Sequence, residues 1–140
     1  MMNRNIRAYT KESIKTQIAG ADSYTIIKML MQGALERLAK GRGCIERNDL
    51  EGKAENLSKA NAIINALLES LDAKDDSEVI NNLASLYDYM LSRITDASIE
   101  KSVEPIDEVM LLLREIKSAW DAIPYEEVKK ALDIQAEMAS

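Results

Sequence analysis

Apolar residues recur with helical spacing along nearly the whole chain, and no segment alternates apolar and polar residues as a β-strand does. The pattern of residues 22–47 predicts the first helix, for which Asp22 or Ser23 can serve as the N-cap. One face of this helix carries an apolar series: Ile27, Leu30, Ala34, Leu38 and Ile45.

The second predicted helix has the most regular pattern and begins after Asp49, a suitable N-cap. Spacings of four and three residues alternate along one face: Leu50, Ala54, Leu57, Asn61, Ile64, Leu68 and Leu71. Such a repeat is typical of helices in coiled coils and four-helix bundles, so we expect this face to lie in a core. The polar Asn61 either fixes the helix register, lies beside a neighbouring backbone, or donates a hydrogen bond to a bound peptide.

A third helix follows the acidic loop at residues 72–77, with Ser77 as its N-cap. Its apolar residues are Val79, Ile80, Leu83, Leu86, Tyr87, Met90, Leu91 and Ile94. Pro105 suits the first turn of a fourth helix. The apolar face of that helix comprises Ile106, Val109, Leu113, Ile116, Trp120 and Ile123.

Four amphipathic helices joined by short loops predict an all-α fold, an antiparallel four-helix bundle over residues 22–123. A mobile N-terminal segment, residues 1–21, precedes the bundle in this prediction. Pro124 ends the fourth helix, and residues 124–140 are expected to form a short fifth helix.

Composition excludes several classes of function. The 140-residue chain has a net charge of −6, which argues against nucleic acid and anionic membrane surfaces as partners. It has no histidine, so Ser-His and Cys-His nucleophile pairs and histidine metal sites are excluded. Adjacent acids such as Asp107 and Glu108 diverge around a helix and indicate solvated faces. We therefore expect no enzymatic activity, metal or cofactor.

The cellular location is also constrained. Cys44 is the only cysteine, so no disulfide can form within the chain. The N-terminus has no apolar run typical of a signal peptide, and no segment is apolar enough to span a membrane. These features predict a cytoplasmic protein with no membrane insertion.

The second helix carries an additional apolar stripe, formed by Ala60, Ile63 and Leu67. This stripe lies about 100° around the helix from the 4-3 face. It either packs against a second neighbour within the bundle or forms an exposed groove for a partner helix.

Two tyrosines of the third helix, Tyr87 and Tyr89, point about 200° apart and cannot share one core. We predict that Tyr87 lies in the core and that Tyr89 lies on a flank with Asn82, Leu86 and Arg93. The exposed ring either covers a neighbouring helix or anchors a partner, since Tyr and Arg are enriched at interface hot spots.

Several segments together resemble the flagellar secretion chaperone FliS family: LMQGALERL, GKAENLSKANAIINALLESL, NLASLYDYMLSRITDAS, DEVMLLLREIKSAWDAI and the Ala8-Tyr9 pair. The resemblance implies a cytosolic helical bundle that binds the disordered C-terminal region of flagellin and prevents premature polymerisation. It also implies assistance in delivery to the flagellar type III export apparatus. The export gate and other flagellar regulators are further candidate partners.

The resemblance gives the candidate surfaces a role. The flagellin groove would comprise Ala60, Ile63, Leu67, Asn82, Leu86, Tyr89 and Arg93. In the family the N-terminal segment can compete for the binding surface, so Ala8 and Tyr9 would belong to a detachable cover. The alternative is a structural bundle that forms homo-oligomers through its apolar faces; for the chaperone we expect a monomer or weak dimer when free.

Overall fold

The computed structural model describes residues 23–71, 77–124, 126–127 and 129–130. Four long helices follow one another in this part of the chain: α1, Ser23–Glu46; α2, Leu50–Glu69; α3, Glu78–Glu100; and α4, Glu104–Asp121. The described residues contain no β-strand, which confirms the all-α prediction. The predicted N-terminal segment lies outside the described residues, as does most of the predicted fifth helix.

The helices begin and end at residues whose side chains or backbone conformation favour a helix terminus. Asp49 caps α2, with its side chain accepting a hydrogen bond from the Gly52 amide at 3.0 Å. Ser77 caps α3 through a hydrogen bond from the Ile80 amide at 3.2 Å, and Pro105 lies in the first turn of α4. These three starts were predicted and are confirmed. Lys101 ends α3 in the left-handed conformation, with φ of 54°.

Contacts between helices show that neighbouring helices run antiparallel within residues 28–122. Lys53, near the start of α2, donates to the Ser98 carbonyl near the end of α3 at 2.9 Å. Arg42, near the end of α1, pairs with Asp107 near the start of α4 at 2.6 Å. The short α1–α2 and α3–α4 connections reverse the chain direction at the other two boundaries.

All four helices contribute to one apolar core. Among the described residues, no polar or charged side chain is buried. The buried apolar residues are Met31, Ala34, Leu38, Cys44, Ile45, Leu57, Ala60, Ile64, Leu67, Tyr87, Met90, Ile94, Ala97, Pro105, Ile106, Val109, Met110 and Leu113. Of the predicted apolar positions, Tyr87, Met90 and Ile94 of α3 are buried, as are Ile106, Val109 and Leu113 of α4. The others are half-buried, except Val79 and Ile123, which are 73% and 37% exposed.

The core face of α2 differs from the predicted 4-3 face. Leu57 and Ile64 are buried as expected, but Leu50 is 54% exposed and Ala54 is also exposed. Ala60 and Leu67, from the additional stripe, are fully buried instead. A straight α-helix drifts about 20° per heptad from a strict 3.5-residue repeat. The buried face of α2 consequently lies between the two apolar stripes.

Candidate functional site

Tyr87 and Tyr89 lie on opposite sides of α3, as their spacing predicts. Tyr87 is 1% exposed in the core, and burial raises its pKa to about 12. Tyr89 is 44% exposed. The sequence prediction that separates the two rings is confirmed.

The Tyr89 ring is tied to the neighbouring helix. Its hydroxyl donates a hydrogen bond to Glu108 Oε1 on α4. Arg93 Nε donates to the same oxygen at 3.2 Å, and Arg93 Nη1 donates to Asp96 at 3.2 Å. We call this cluster, Tyr89, Arg93, Asp96 and Glu108, the Tyr89 face.

Electrostatics within the Tyr89 face follow from these hydrogen bonds. The bond to Glu108 raises the pKa of the Tyr89 hydroxyl, because it favours the protonated form. Burial alone would lower the pKa of Arg93, but the hydrogen bond to Asp96 and the charge of Glu108 together raise it. The guanidinium charge is therefore balanced within the cluster.

Glu108 contributes to the Tyr89 face, although the sequence indicates solvated faces for both Asp107 and Glu108. Both acids instead contact other helices, Asp107 through Arg42 of α1 and Glu108 through α3. Tyr89 and Glu108 are 19 residues apart on separate helices, so no local spacing rule marks the pair. An acid at either position resembles any exposed helix carboxylate in the sequence.

A second candidate surface lies on the other flank of α3. A cleft of about 310 Å³ lies between α2 and α3. None of the residues that line it is charged, although 30% of the residues in the chain are charged. Ile99 stands at this cleft with 75% of its surface exposed. We call it the α2–α3 groove, lined by Ala54, Leu57, Ser58, Asn61, Ile94, Thr95, Ser98 and Ile99. Asn61 is half-buried at this groove.

The seven predicted groove residues do not form one surface. Ala60 and Leu67 are fully buried, so their assignment to an exposed groove is corrected. Ile63 faces α1, because its Cδ1 lies 3.6 Å from where a Cβ on Gly33 would be. Tyr89 and Arg93 face α4 instead.

The remaining predicted positions have separate outcomes. On α3, Asn82 is exposed and Leu86 is half-buried. Ala8 and Tyr9, predicted to form the N-terminal cover, lie outside the described residues. For Ala60 and Leu67 the structure agrees with the other alternative left open by the sequence, packing against a neighbouring helix within the bundle.

The boundary between α1 and α4 has a different character. Its cleft of about 330 Å³ is mostly polar, with Asp121 paired to Lys117 at 2.8 Å and to Lys28 at 3.3 Å. The hydrogen bond from Lys117 lowers the pKa of Asp121, and Lys28 acts in the same direction. The uncharged lining of the α2–α3 groove thus distinguishes it from this cleft.

The described part of the chain lacks two kinds of feature. That part of the chain contains no group of three or more Cys, Asp or Glu side chains arranged to hold a metal ion. None of its helices combines the length and the apolar character needed to cross a bilayer.

The fold defines a helical-bundle protein with an uncharged cleft on one flank of α3 and an exposed tyrosine on the other. The family model described as flagellar protein FliS matches residues 4–134. The chain therefore belongs to the FliS family, a family of flagellar secretion chaperones.

Relatives agree with this assignment over most of their length. The flagellar secretion chaperone FliS of Vibrio cholerae is 39% identical over 89% of this chain and 92% of the relative. FliSB of Pseudomonas aeruginosa is 40% identical over 86% of this chain and 95% of its own. FliS of Bacillus subtilis is 31% identical over 81% of this chain and 80% of its own.

Proposed function

We propose that this protein is a cytosolic export chaperone that binds the disordered C-terminal segment of flagellin as a helix. Bound in this way, the segment is kept from premature polymerisation and is delivered to the flagellar type III export apparatus. Membership of the FliS family supports the chaperone class. The observation that carries the binding proposal is the uncharged α2–α3 groove with its exposed Ile99.

The groove suits an amphipathic helix for physical reasons. An apolar client side chain placed there displaces water without stripping the hydration shell from a charged group. Asn61, Ser58 and Thr95 supply hydroxyl and amide groups for polar contacts at its edges. A disordered client that folds on binding can cover such a surface, and part of the interaction energy then offsets the entropy that it loses on ordering.

The Tyr89 face is the second part of the proposed client surface. Tyr89 offers an exposed aromatic ring on the opposite flank of α3, with Leu86 half-buried one turn away. Leu111 of α4, 58% exposed, follows Glu108 by one turn. A client that contacts both surfaces would have to pass around α3 rather than occupy a single cleft.

We further propose that residues 1–21 form a detachable cover, in which Ala8 and Tyr9 occupy part of the client surface. Residues 1–20 carry four basic side chains and one acid, a net charge of +3 in a chain of net charge −6. Electrostatic attraction of this segment to the acidic bundle supports the proposal.

A binding measurement with one matched pair of variants tests the groove. The probe is a synthetic C-terminal segment of the host's flagellin, titrated by calorimetry. Ala54→Glu introduces a charge into the groove at an exposed helical position and should weaken binding by more than about tenfold, since burying an unpaired charge is costly. Ala39→Glu makes the same change on an exposed position of α1 and should bind like the wild type.

Two outcomes would contradict the proposal. Equal affinity of both variants for the peptide would exclude the groove as a client site. Light scattering that shows a stable homo-oligomer, indifferent to the peptide, would instead favour a structural bundle that self-associates.

A further inference from the structure

Glu108 joins two side chains of α3 through a single atom. Its Oε1 accepts hydrogen bonds from the Tyr89 hydroxyl and from Arg93 Nε. Arg93 is held from its other side by Asp96, at 3.2 Å. The orientation of an exposed ring on α3 therefore depends on a carboxylate from α4.

This arrangement has a consequence for binding. An exposed tyrosine without a partner samples several rotamers, and a ligand that packs on the ring must immobilise it at an entropic cost. The hydrogen bond to Glu108 restrains the ring before any ligand arrives. At 44% exposure the ring still has open surface on which a ligand can pack.

The charge of Arg93 is restrained in the same way. Its guanidinium lies against two carboxylates, so an apolar chain that covers it does not leave an unpaired cation behind. The cluster thus combines an oriented aromatic ring with a neutralised cation, which suits an apolar helical segment.

We propose that Glu108 is a positioning residue for client binding, which holds Tyr89 and Arg93 in the orientation that the client meets. This inference rests on the proposed function. Glu108 acts through its two partners and does not itself need to contact the client.

Three variants distinguish the effect of orienting Tyr89 on client affinity from the effect of removing a negative charge. Glu108→Ala removes the acceptor and should weaken binding of the flagellin C-terminal peptide about three- to tenfold, because the ring must then be ordered on binding. Glu108→Gln keeps an acceptor oxygen for Tyr89, and Asp96 still pairs with Arg93, so this variant should bind within about twofold of the wild type. Glu36→Ala makes the same charge change as Glu108→Ala at an exposed position of α1 and should leave affinity unchanged.

A spectroscopic readout tests the contact without any client. The hydrogen bond to Glu108 raises the pKa of Tyr89. An absorbance titration of tyrosine ionisation, with Tyr89→Phe subtracted to isolate Tyr89, should show that pKa falling towards its ordinary value in Glu108→Ala. A wild type that does not bind the peptide would refute the proposed function, whereas this titration would still report on the contact.

Three results would overturn the inference. The first is an unchanged Tyr89 titration in Glu108→Ala. The second is wild-type affinity in Glu108→Ala while Tyr89→Ala binds weakly. The third is an equal loss of affinity in Glu108→Ala and Glu108→Gln, which would assign the effect to charge. If Glu108→Ala does not fold, Glu108→Met, which has a side chain of similar length but no acceptor oxygen, can be combined with Tyr89→Phe in a double-mutant cycle to measure the same coupling.

Discussion

Gly41 of α1 lies directly against Leu57 of α2. A Cβ built on Gly41 would lie 2.6 Å from Leu57 Cδ2, closer than side-chain carbons approach each other. Leu57 is itself buried, so its position is fixed by the surrounding core. The absence of a side chain at residue 41 therefore sets how closely α1 and α2 pack.

Replacing Gly41 with alanine should destabilise the bundle by about 1–3 kcal/mol, because an added methyl group in a packed core forces its neighbours to shift. Gly33→Ala is the matched control on the same helix. A Cβ on Gly33 would lie 3.6 Å from Ile63 Cδ1, which is an ordinary contact distance. The higher helix propensity of alanine should therefore stabilise the bundle by up to about 1 kcal/mol. Urea unfolding of both variants checks the prediction, and similar changes in both would contradict it.

Tyr87 and Tyr89 should respond differently to truncation. Tyr87→Ala removes a large side chain from the core and should lower the free energy of unfolding by about 3–5 kcal/mol. Tyr89→Ala removes an exposed ring with one hydrogen bond and should lower it by less than about 1 kcal/mol. In the proposed function, Tyr89→Ala also weakens peptide binding. Thermal unfolding and calorimetry together test both statements; equal losses of stability would contradict the division of roles.

The raised pKa of Tyr87 also predicts that the free energy of unfolding decreases at alkaline pH. Its pKa is about 12 in the folded chain and about 10 when unfolded, so the unfolded state releases its proton first. The contribution of Tyr87 to the free energy of unfolding is therefore fully present below pH 10. It falls as the pH rises towards 12, by about 2–3 kcal/mol in total. Tyr87→Phe should remove most of this slope. An unchanged slope in that variant, measured by urea unfolding between pH 9 and 12, would be inconsistent with the prediction.

Ile99 and Val79 form a matched pair of exposed apolar residues on α3, 75% and 73% exposed. Ile99 lines the α2–α3 groove, whereas Val79 lies in the first turn of α3 and outside the groove lining. Under the proposed function, Ile99→Asn should weaken flagellin peptide binding about tenfold through lost apolar burial. Val79→Asn should not change it. Calorimetric titration with the peptide checks this prediction. A larger loss of affinity in Val79→Asn than in Ile99→Asn would show that the client binds outside the groove.

The proposed N-terminal cover predicts the effect of a truncation. Removing residues 1–19 should leave the helical circular dichroism signal of the bundle intact, because the core residues named above all lie after residue 30. Affinity for the flagellin peptide should rise or stay unchanged. Unfolding of the truncated protein, or weaker binding by it, would contradict the cover.

Much of the fold could be predicted from the sequence because it depends on local rules. The caps at Asp49 and Ser77, the start of α4 at Pro105 and the separation of Tyr87 from Tyr89 each follow from residue type and spacing. These features involve one helix at a time. No partner helix is needed to interpret them.

The parts that could not be predicted depend on two helices at once. Either stripe of α2 could have faced the core, and the packing of its neighbours placed Ala60 and Leu67 inside while leaving Leu50 exposed. The α2–α3 groove is likewise lined by residues of both helices, such as Asn61 of α2 and Thr95 of α3. Glu108 was overlooked for the same reason.

The apolar core has a consequence for how this fold is specified. Leucine, isoleucine and methionine pack acceptably in several helix arrangements. The core formed by the described residues buries no polar side chain, so it discriminates poorly among alternative topologies. Polar pairs at the helix boundaries, such as Arg42 with Asp107 and Tyr89 with Glu108, add contacts that are specific to one arrangement of the helices. Transplanting the Tyr89 face onto another scaffold would therefore require moving its partner carboxylate as well, because the same contact that orders the helices also shapes the surface.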